Sequence, residues 1–149
     1  MCYNIVLIEP EIPNNTGNIG RIALGSGAHL HLVKPFGFEL SDSRLKRAGL
    51  DYWQHIDVTI YKSVDDFFKQ HNGKNMAFLS SHATKSYLDI PYEDELFLIF
   101  GKESVGLSSE ILDKHPKQQY TIPLHSKHIR SLNLANAVSI VVYEGLRNL

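Results

Sequence analysis

The chain has 149 residues, 43% of them hydrophobic and 21% charged, and a formal net charge of −1. A single domain of this size buries enough surface to hold a core without staples, and the near-neutral balance excludes a uniformly basic nucleic-acid coat and a disordered polyelectrolyte. The one cysteine, Cys2, excludes an intrachain disulfide framework and a Cys-rich zinc site, and it suits a reducing compartment.

Strand-like and helix-like segments alternate along the chain. Ile5 to Ile8 is a short apolar run ended by Pro10 and Pro13, which predicts a buried strand. It lacks a basic n-region and a small-residue cleavage site, so no signal peptide is expected. Asn15-Thr16-Gly17-Asn18 supplies cap chemistry, with Ile19, Ile22 and Ala23 at helical spacing and Gly25 and Gly27 as stops. His29 to Val33 predicts a second strand, Arg44 to Ala48 a short helix ended by Gly49, and Val58 to Tyr61 another strand. Val64 to Gln70 reads as a helix opened by Ser63, with Asp65 and Asp66 where the helix dipole favours acids.

Met76 to Leu79 and Leu96 to Phe100 are further buried-strand runs, Leu107 to Lys114 suits a helix, and Tyr120 to Ile122 a last strand. Leu132 to Leu146 closes the chain as a helix. One face carries Leu132, Ala135, Ser139, Val142, Tyr143 and Leu146, and a second carries Leu134, Val138 and Val141. A helix apolar nearly all round is buried on more than one side, and here the second side is expected to be another subunit. No apolar run approaches the ~20 residues that span a bilayer.

The β-α alternation predicts one α/β domain over 1–149, with a mostly parallel sheet flanked by helices. Ligands of such sheets sit beyond the carboxyl ends of the strands. That singles out 9–18, 80–84, 101–106 and 123–131. Common nucleotide motifs fail there. Gly101 to Gly106 has phosphate-loop spacing, but Leu107-Ser108 follows instead of Lys-Ser/Thr, and no G-x-G-x-x-G follows the first strand. The pairs His29/His31 and His125/His128 lack acidic or cysteine partners at metal spacing, so no metal is expected. No G-x-S-x-G elbow is present, which disfavours a hydrolase.

Charge is unevenly spread. Lys114, Lys117, Lys127 and Arg130 stand in a stretch without an acid, and Arg44, Lys46 and Arg47 cluster beside Tyr52 and Trp53. Basic groups interleaved with aromatics can hold phosphates and stack bases. A solvated helix face with a core tryptophan reads better from composition alone.

Three segments narrow these readings: Glu9-Pro10-Glu11-Ile12-Pro13-Asn14-Asn15-Thr16-Gly17-Asn18-Ile19-Gly20-Arg21, Ile99-Phe100-Gly101-Lys102-Glu103-Ser104-Val105-Gly106-Leu107, and Ile122-Pro123-Leu124 followed by Ser131-Leu132-Asn133-Leu134-Ala135-Asn136-Ala137-Val138. In this order and over essentially the whole chain they resemble the SPOUT methyltransferases. The minimal length and the Arg47-Ala48-Gly49-Leu50-Asp51-Tyr52-Trp53 segment are similar to the tRNA (cytidine/uridine) 2′-O-methyltransferases of the wobble nucleotide.

That resemblance implies a SPOUT-type fold with a C-terminal trefoil knot, the knot and an S-adenosylmethionine site lying within about 75–149. It also implies a homodimer through the first and last helices, a cytoplasmic setting, and tRNA as partner. Carried over by motif, the cofactor positions are Leu79, Gly101, Ile122, Leu124, Ser131, Leu132 and Asn133, with Ser80 and Ser81 as second choices. The catalytic positions are Arg21, Asn15, Glu103 and Tyr143. A guanidinium with a pKa above ~12 is a poor general base, so Arg21 is expected to clamp a phosphate or stabilise the 2′-oxyanion. Asn15 would orient the hydroxyl or cap its helix. Glu103 would balance the sulfonium or bind Arg21, and Tyr143 would contact the nucleotide or complete the dimer. Arg44, Lys46, Arg47, Lys127 and Arg130 are the expected phosphate contacts. Rival readings are another RNA target such as rRNA, a noncatalytic RNA-binding protein, and a small-molecule nucleotide-binding domain.

Overall fold

The computed structural model describes residues 2–48 and 52–148. Six strands arise where the sequence predicts them: β1 (Asn4–Ile8), β2 (His29–Val33), β3 (Val58–Tyr61), β4 (Met76–Leu79), β6 (Phe97–Phe100) and β7 (Gln119–Thr121). β1 is buried at every residue, as expected of a strand covered on both faces. One more strand, β5 (Lys85–Ser86), lies beyond β7 at the edge. The order is β3-β2-β1-β6-β4-β7-β5, and every pairing is parallel. All carboxyl ends therefore open on one rim.

Helices α1 (Pro13–Ser26) and α5 (Leu134–Arg147) cover one face, packed against each other, and α2 (Ser43–Ala48) lies on α1. Ile5, Leu7, Leu30, Leu32 and Leu98 meet Ile19, Ala23, Val138 and Val142 there. Helices α3 (Val64–Gln70) and α4 (Ser109–Asp113) cover the other face, over Val6, Ile8, Phe78 and Ile99.

Several boundaries differ from expectation, each for a physical reason. β4 and β6 are joined by β5 and a 3-10 turn at Tyr87–Asp89, a stretch for which the sequence predicts no element. α1 starts at Pro13, so Asn15 lies inside its first turn and does not cap it. Proline is pre-organised for the first helical position and lacks the N–H that would be orphaned there. The helix also runs through Gly25 and stops only at Gly27, which takes the left-handed conformation at φ 75. α4 is shorter than predicted and begins after Ser108, whose side chain accepts from the Ile111 N–H. α5 begins at Leu134, because Asn133 caps it. Gly49, the expected stop of α2, lies outside the described residues.

α5 also departs from its predicted partition. Ala135, Val138, Val141, Val142 and Gly145 form the stripe buried within the chain, while Ile140 and Tyr143 face outward, Tyr143 half exposed. Val142 is 0% exposed and belongs to this chain's own core.

Candidate active site at the carboxyl ends of the strands

β1 ends in an unusual way. Glu9 takes φ 53, a left-handed conformation that costs a non-glycine residue roughly 1–2 kcal/mol. Its N–H reaches the Val33 carbonyl at 2.8 Å, and its carboxylate pairs with Lys102 at 3.5 Å. The turn redirects the chain over the end of β6, where the 101–106 loop emerges. Gly101 is obligatory in that loop, since a Cβ would fall 2.2 Å from both the Gly106 carbonyl carbon and the Leu107 nitrogen.

Two carboxylates then clasp the loops together. Glu103 accepts from the backbone N–H groups of Glu11 and Ile12, both at 2.8 Å. In return the Ser104 N–H donates to Glu11 at 2.8 Å. That hydrogen bond, first among the causes, holds the Glu11 carboxyl below its usual range. Ile12 precedes α1 and has no side-chain cap of its own. Glu103 therefore serves as the cap, an anion set at a helix N-terminus, where the macrodipole favours it by about 0.3–1 kcal/mol.

Asn15 extends the clasp. Its Nδ2 donates to Glu103 at 3.2 Å, and its Oδ1 accepts from Asn133 Nδ2 at 3.0 Å. Asn133 Oδ1 meanwhile accepts from the N–H groups of Ala135 and Asn136, at 2.9 and 3.3 Å. One hydrogen-bonded chain thus runs Glu103–Asn15–Asn133 and secures the N-termini of α1 and α5 together. It brings into contact three residues drawn from the three separate motifs.

Near this relay the ends of adjacent strands carry apolar side chains. β6, β4 and β7 are adjacent. Gly101 follows β6, Leu79 ends β4, and Ile122 follows β7. Leu79, Ile122, Leu124 and Leu132 are each half-buried, neither sealed in the core nor fully exposed. Within 123–132 the described hydrogen bonds amount to His128 N–H on the Ser126 hydroxyl. Backbone N–H and C=O groups there remain available to a ligand. An apolar slot edged by such backbone groups suits a neutral heterocycle such as adenine. Ser131 is exposed on the same stretch; Ser80 accepts from the His82 N–H, and Ser81 is exposed.

Arg21 and Tyr143 stand apart from the relay. Arg21 is exposed on α1, about 9 Å further along the axis than Asn15 at 1.5 Å per residue. Its guanidinium lies over the Tyr52 ring, 5.4 Å from the centroid, rather than on Glu103. α1 and α5 run side by side in the same direction, and Tyr143 sits at their far ends, its hydroxyl 3.5 Å from the Cβ position of Gly25. Within one chain Tyr143 lies about 15 Å from Asn133 along α5.

The expected RNA contacts flank this helix pair. Lys46 and Arg47 are exposed on the last turn of α2, and Lys127 and Arg130 on the stretch before α5. Arg44 is held by Asp42, with Nη2 on Oδ2 at 3.1 Å and Nε on Oδ1 at 3.2 Å, so part of its charge is already balanced. Sequence reasoning missed the pairing roles of Glu9, Glu11 and Lys102. Both acids stand in the first motif, yet no local signal links them to the 101–106 loop, whose Glu103 lies 92 residues beyond Glu11.

A parallel α/β sheet places ligands beyond the carboxyl ends of its strands, where these residues stand. The family follows from comparison: residues 3–143 match the model of the SpoU rRNA Methylase family, and the chain belongs to that family. The tRNA (cytidine(34)-2'-O)-methyltransferase of Escherichia coli (strain K12) is 44% identical over 147 residues, covering 98% of this chain and 93% of that protein. A solved structure described as "Structural insights into the 2-OH methylation of C/U34 on tRNA" superposes with a TM-score of 0.93 at 39% identity, covering 98% of this chain and 95% of that one. The AdoMet-bound rRNA methyltransferase from Sinorhizobium meliloti superposes with a TM-score of 0.85 at 26% identity, but this chain spans 56% of its length.

Proposed function

We propose that this protein is an S-adenosylmethionine-dependent tRNA 2′-O-methyltransferase acting on the wobble cytidine or uridine. The observation that carries the reading is the Glu103–Asn15–Asn133 relay at the carboxyl rim of the sheet, in a chain so similar over its length to enzymes named for that reaction. Leu79, Gly101 and Ile122 at the ends of adjacent strands, with Leu124, Ser131, Leu132 and Asn133 on the stretch that leads into α5, would hold the cofactor. When bound, it supplies an electrophilic methyl on a sulfonium.

The chain's own part is positioning. Fixing two reactants in line contributes up to about 7–11 kcal/mol of such a barrier. Asn15 and Asn133 are locked at the helix N-termini, so their amides offer donors and acceptors in a fixed place for a ribose hydroxyl. Glu103 keeps its carboxylate on three donors, which makes it the anchor of that arrangement. Arg21 supplies a permanent cation for the phosphate or the developing 2′-oxyanion. Lys46, Arg47, Lys127, Arg130 and, once released from Asp42, Arg44 supply phosphate contacts.

The reading includes the C-terminal knot, a homodimer and a cytoplasmic setting. The knot is supported by topology, since 123–132 leaves β7 and must cross the ends of β4 and β6 to reach α5 beside α1. The dimer is supported by the outward Ile140 and Tyr143 on α5 and by the exposed Leu24 on α1. In that assembly Tyr143 would act across the interface.

The test is methyl transfer. Purified protein, labelled S-adenosylmethionine and tRNA lacking its wobble methylation are incubated, and the nucleosides are separated by mass. A 2′-O-methylated cytidine or uridine is expected. Product on rRNA alone moves the target to ribosomal RNA. Cofactor binding without product on any RNA favours a noncatalytic RNA-binding protein.

A further inference from the structure

The Arg21–Tyr52 contact joins two elements that have no reason of sequence to meet. Arg21 comes from the middle of α1, and Tyr52 opens the 3-10 turn at Trp53–His55. Gly20 is what brings them together. A Cβ at Gly20 would lie 2.7 Å from both Ile56 Cδ1 and Trp53 Cζ3. Glycine therefore lets Trp53 and Ile56 lie directly on the helix backbone, where both pack against the core on the α1/α5 face. The turn is closed by the His55 N–H on the Tyr52 carbonyl at 2.9 Å. A fixed ring is thus delivered beside an otherwise exposed, flexible side chain.

We propose that Tyr52 is a positioning residue for methyl transfer, its ring holding the Arg21 guanidinium in place before RNA arrives. The inference rests on the role given to Arg21 above. A cation within about 6 Å of a ring centroid is attracted by the quadrupole of the ring. That attraction acts through charge and leaves the five N–H donors for phosphate or ribose oxygens. Ordering a long side chain in advance removes an entropic cost from the bound state. The other use of a ring near a basic helix is to stack a base directly, and the two uses separate kinetically. Holding Arg21 affects the rate once tRNA is bound, whereas stacking a base affects how tightly tRNA binds.

The experiment compares Tyr52→Phe and Tyr52→Leu with wild type. Single-turnover methylation is measured at saturating unmodified tRNA, tRNA Kd by filter binding, and folding by melting temperature. Tyr52→Leu is expected to slow the saturated rate by about twofold to thirtyfold, the range from an exposed to a desolvated cation–π contact. Its tRNA Kd should change by less than about threefold, and Tyr52→Phe should restore the rate. Tyr52→Met carries the same test should Tyr52→Leu fail to fold. An unchanged rate in Tyr52→Leu overturns the proposal. So does a weakened Kd with an intact saturated rate, which would assign the ring to RNA itself, and so does a Tyr52→Phe as slow as Tyr52→Leu. A wild-type protein that makes no product overturns the underlying reading as well.

Discussion

Each face of the sheet carries a connected polar network, and the two are built to opposite ends. On the α3/α4 face, Asn4 Nδ2 donates to the Glu95 carbonyl at 3.0 Å, which leaves its Oδ1 to accept from His31 Nε2 at 2.8 Å. His31 Nδ1 then accepts from the Tyr61 hydroxyl, and that oxygen accepts from His71 Nε2, each at 2.8 Å. The tautomers follow from the network itself. Asn4 and His31 are buried, and Phe67 and Phe97 pack on the imidazole of His31. On the α1/α5 face the relay Glu103–Asn15–Asn133 instead lies at the open rim, next to half-buried leucines and available backbone. A closed network specifies packing, because each of its buried groups is used within the chain. An open one keeps the same residue types rigid while leaving capacity for a ligand. Rim position and spare capacity, more than residue type, separate chemistry from architecture here.

The sharpest break of that comparison is to put a charge into the wrong part of the α1/α5 face. Val142 is fully buried in its own chain. Val142→Asp should cost on the order of 4 kcal/mol or more, as an unpaired buried charge does. Thermal melting and sedimentation would show an unfolded or aggregated chain. A folded monomer would mean that Val142 faces a second subunit after all. Next in size is Arg21→Ala on the rim. Loss of a donor to developing charge lowers turnover about 10²–10³-fold, or about 2.7–4 kcal/mol, while melting temperature and cofactor binding change little. Near-wild-type turnover on saturating tRNA would remove Arg21 from the reaction.

Much of this arrangement is legible in sequence, and the gaps have a common cause. Short apolar runs mark β1, β4 and β6, because burial on both faces leaves that signature, while alternation marks β2. β5 has two residues and no pattern to read. The start of α1 misleads because Asn15 looks like a local cap, whereas the acceptor is Glu103, delivered by a loop far along the chain. The motifs supply the site residues, but not which of them touch. Asn15, Glu103 and Asn133 meet, while Arg21 turns to Tyr52 and Tyr143 lies at the other end of α5. α5 looks apolar all round because its inward and outward stripes both carry large side chains, and only packing distinguishes Val142 from Tyr143.

The closed network should announce itself in acid. Burial, chiefly, lowers the His31 pKa from 6.5 to about 4, and burial also lowers that of His71. The unfolded chain therefore binds these protons first. The contribution of His31 to stability is complete above pH 6.5 and is lost as pH falls from there through about 4. The loss should reach about 3 kcal/mol at the lower limit. Denaturant melts at a series of pH values, compared with His31→Gln, would isolate it: the variant is less stable at neutral pH but flatter across that window. Equal slopes for the two proteins would mean that His31 is already protonated in the fold.

Asn133 tests whether the open network can be taken apart by function and by stability separately. As the cap of α5 it accepts from two backbone N–H groups, and through Nδ2 it steadies Asn15. Asn133→Ala removes both, and the cap alone is worth about 1 kcal/mol. Asn133→Asp keeps the cap, and indeed favours the helix dipole, but loses the Nδ2 donor and sets a second carboxylate near Glu103. If the relay only holds the helices, melting temperature should order the variants with the aspartate near wild type and the alanine below it, and turnover should follow the same order. If the relay also fixes Asn15 for the ribose hydroxyl, turnover falls in both variants while only the alanine variant melts early. The second pattern is expected, because the Asn15 amide is oriented by its two neighbours and an aspartate in place of Asn133 could no longer donate to it.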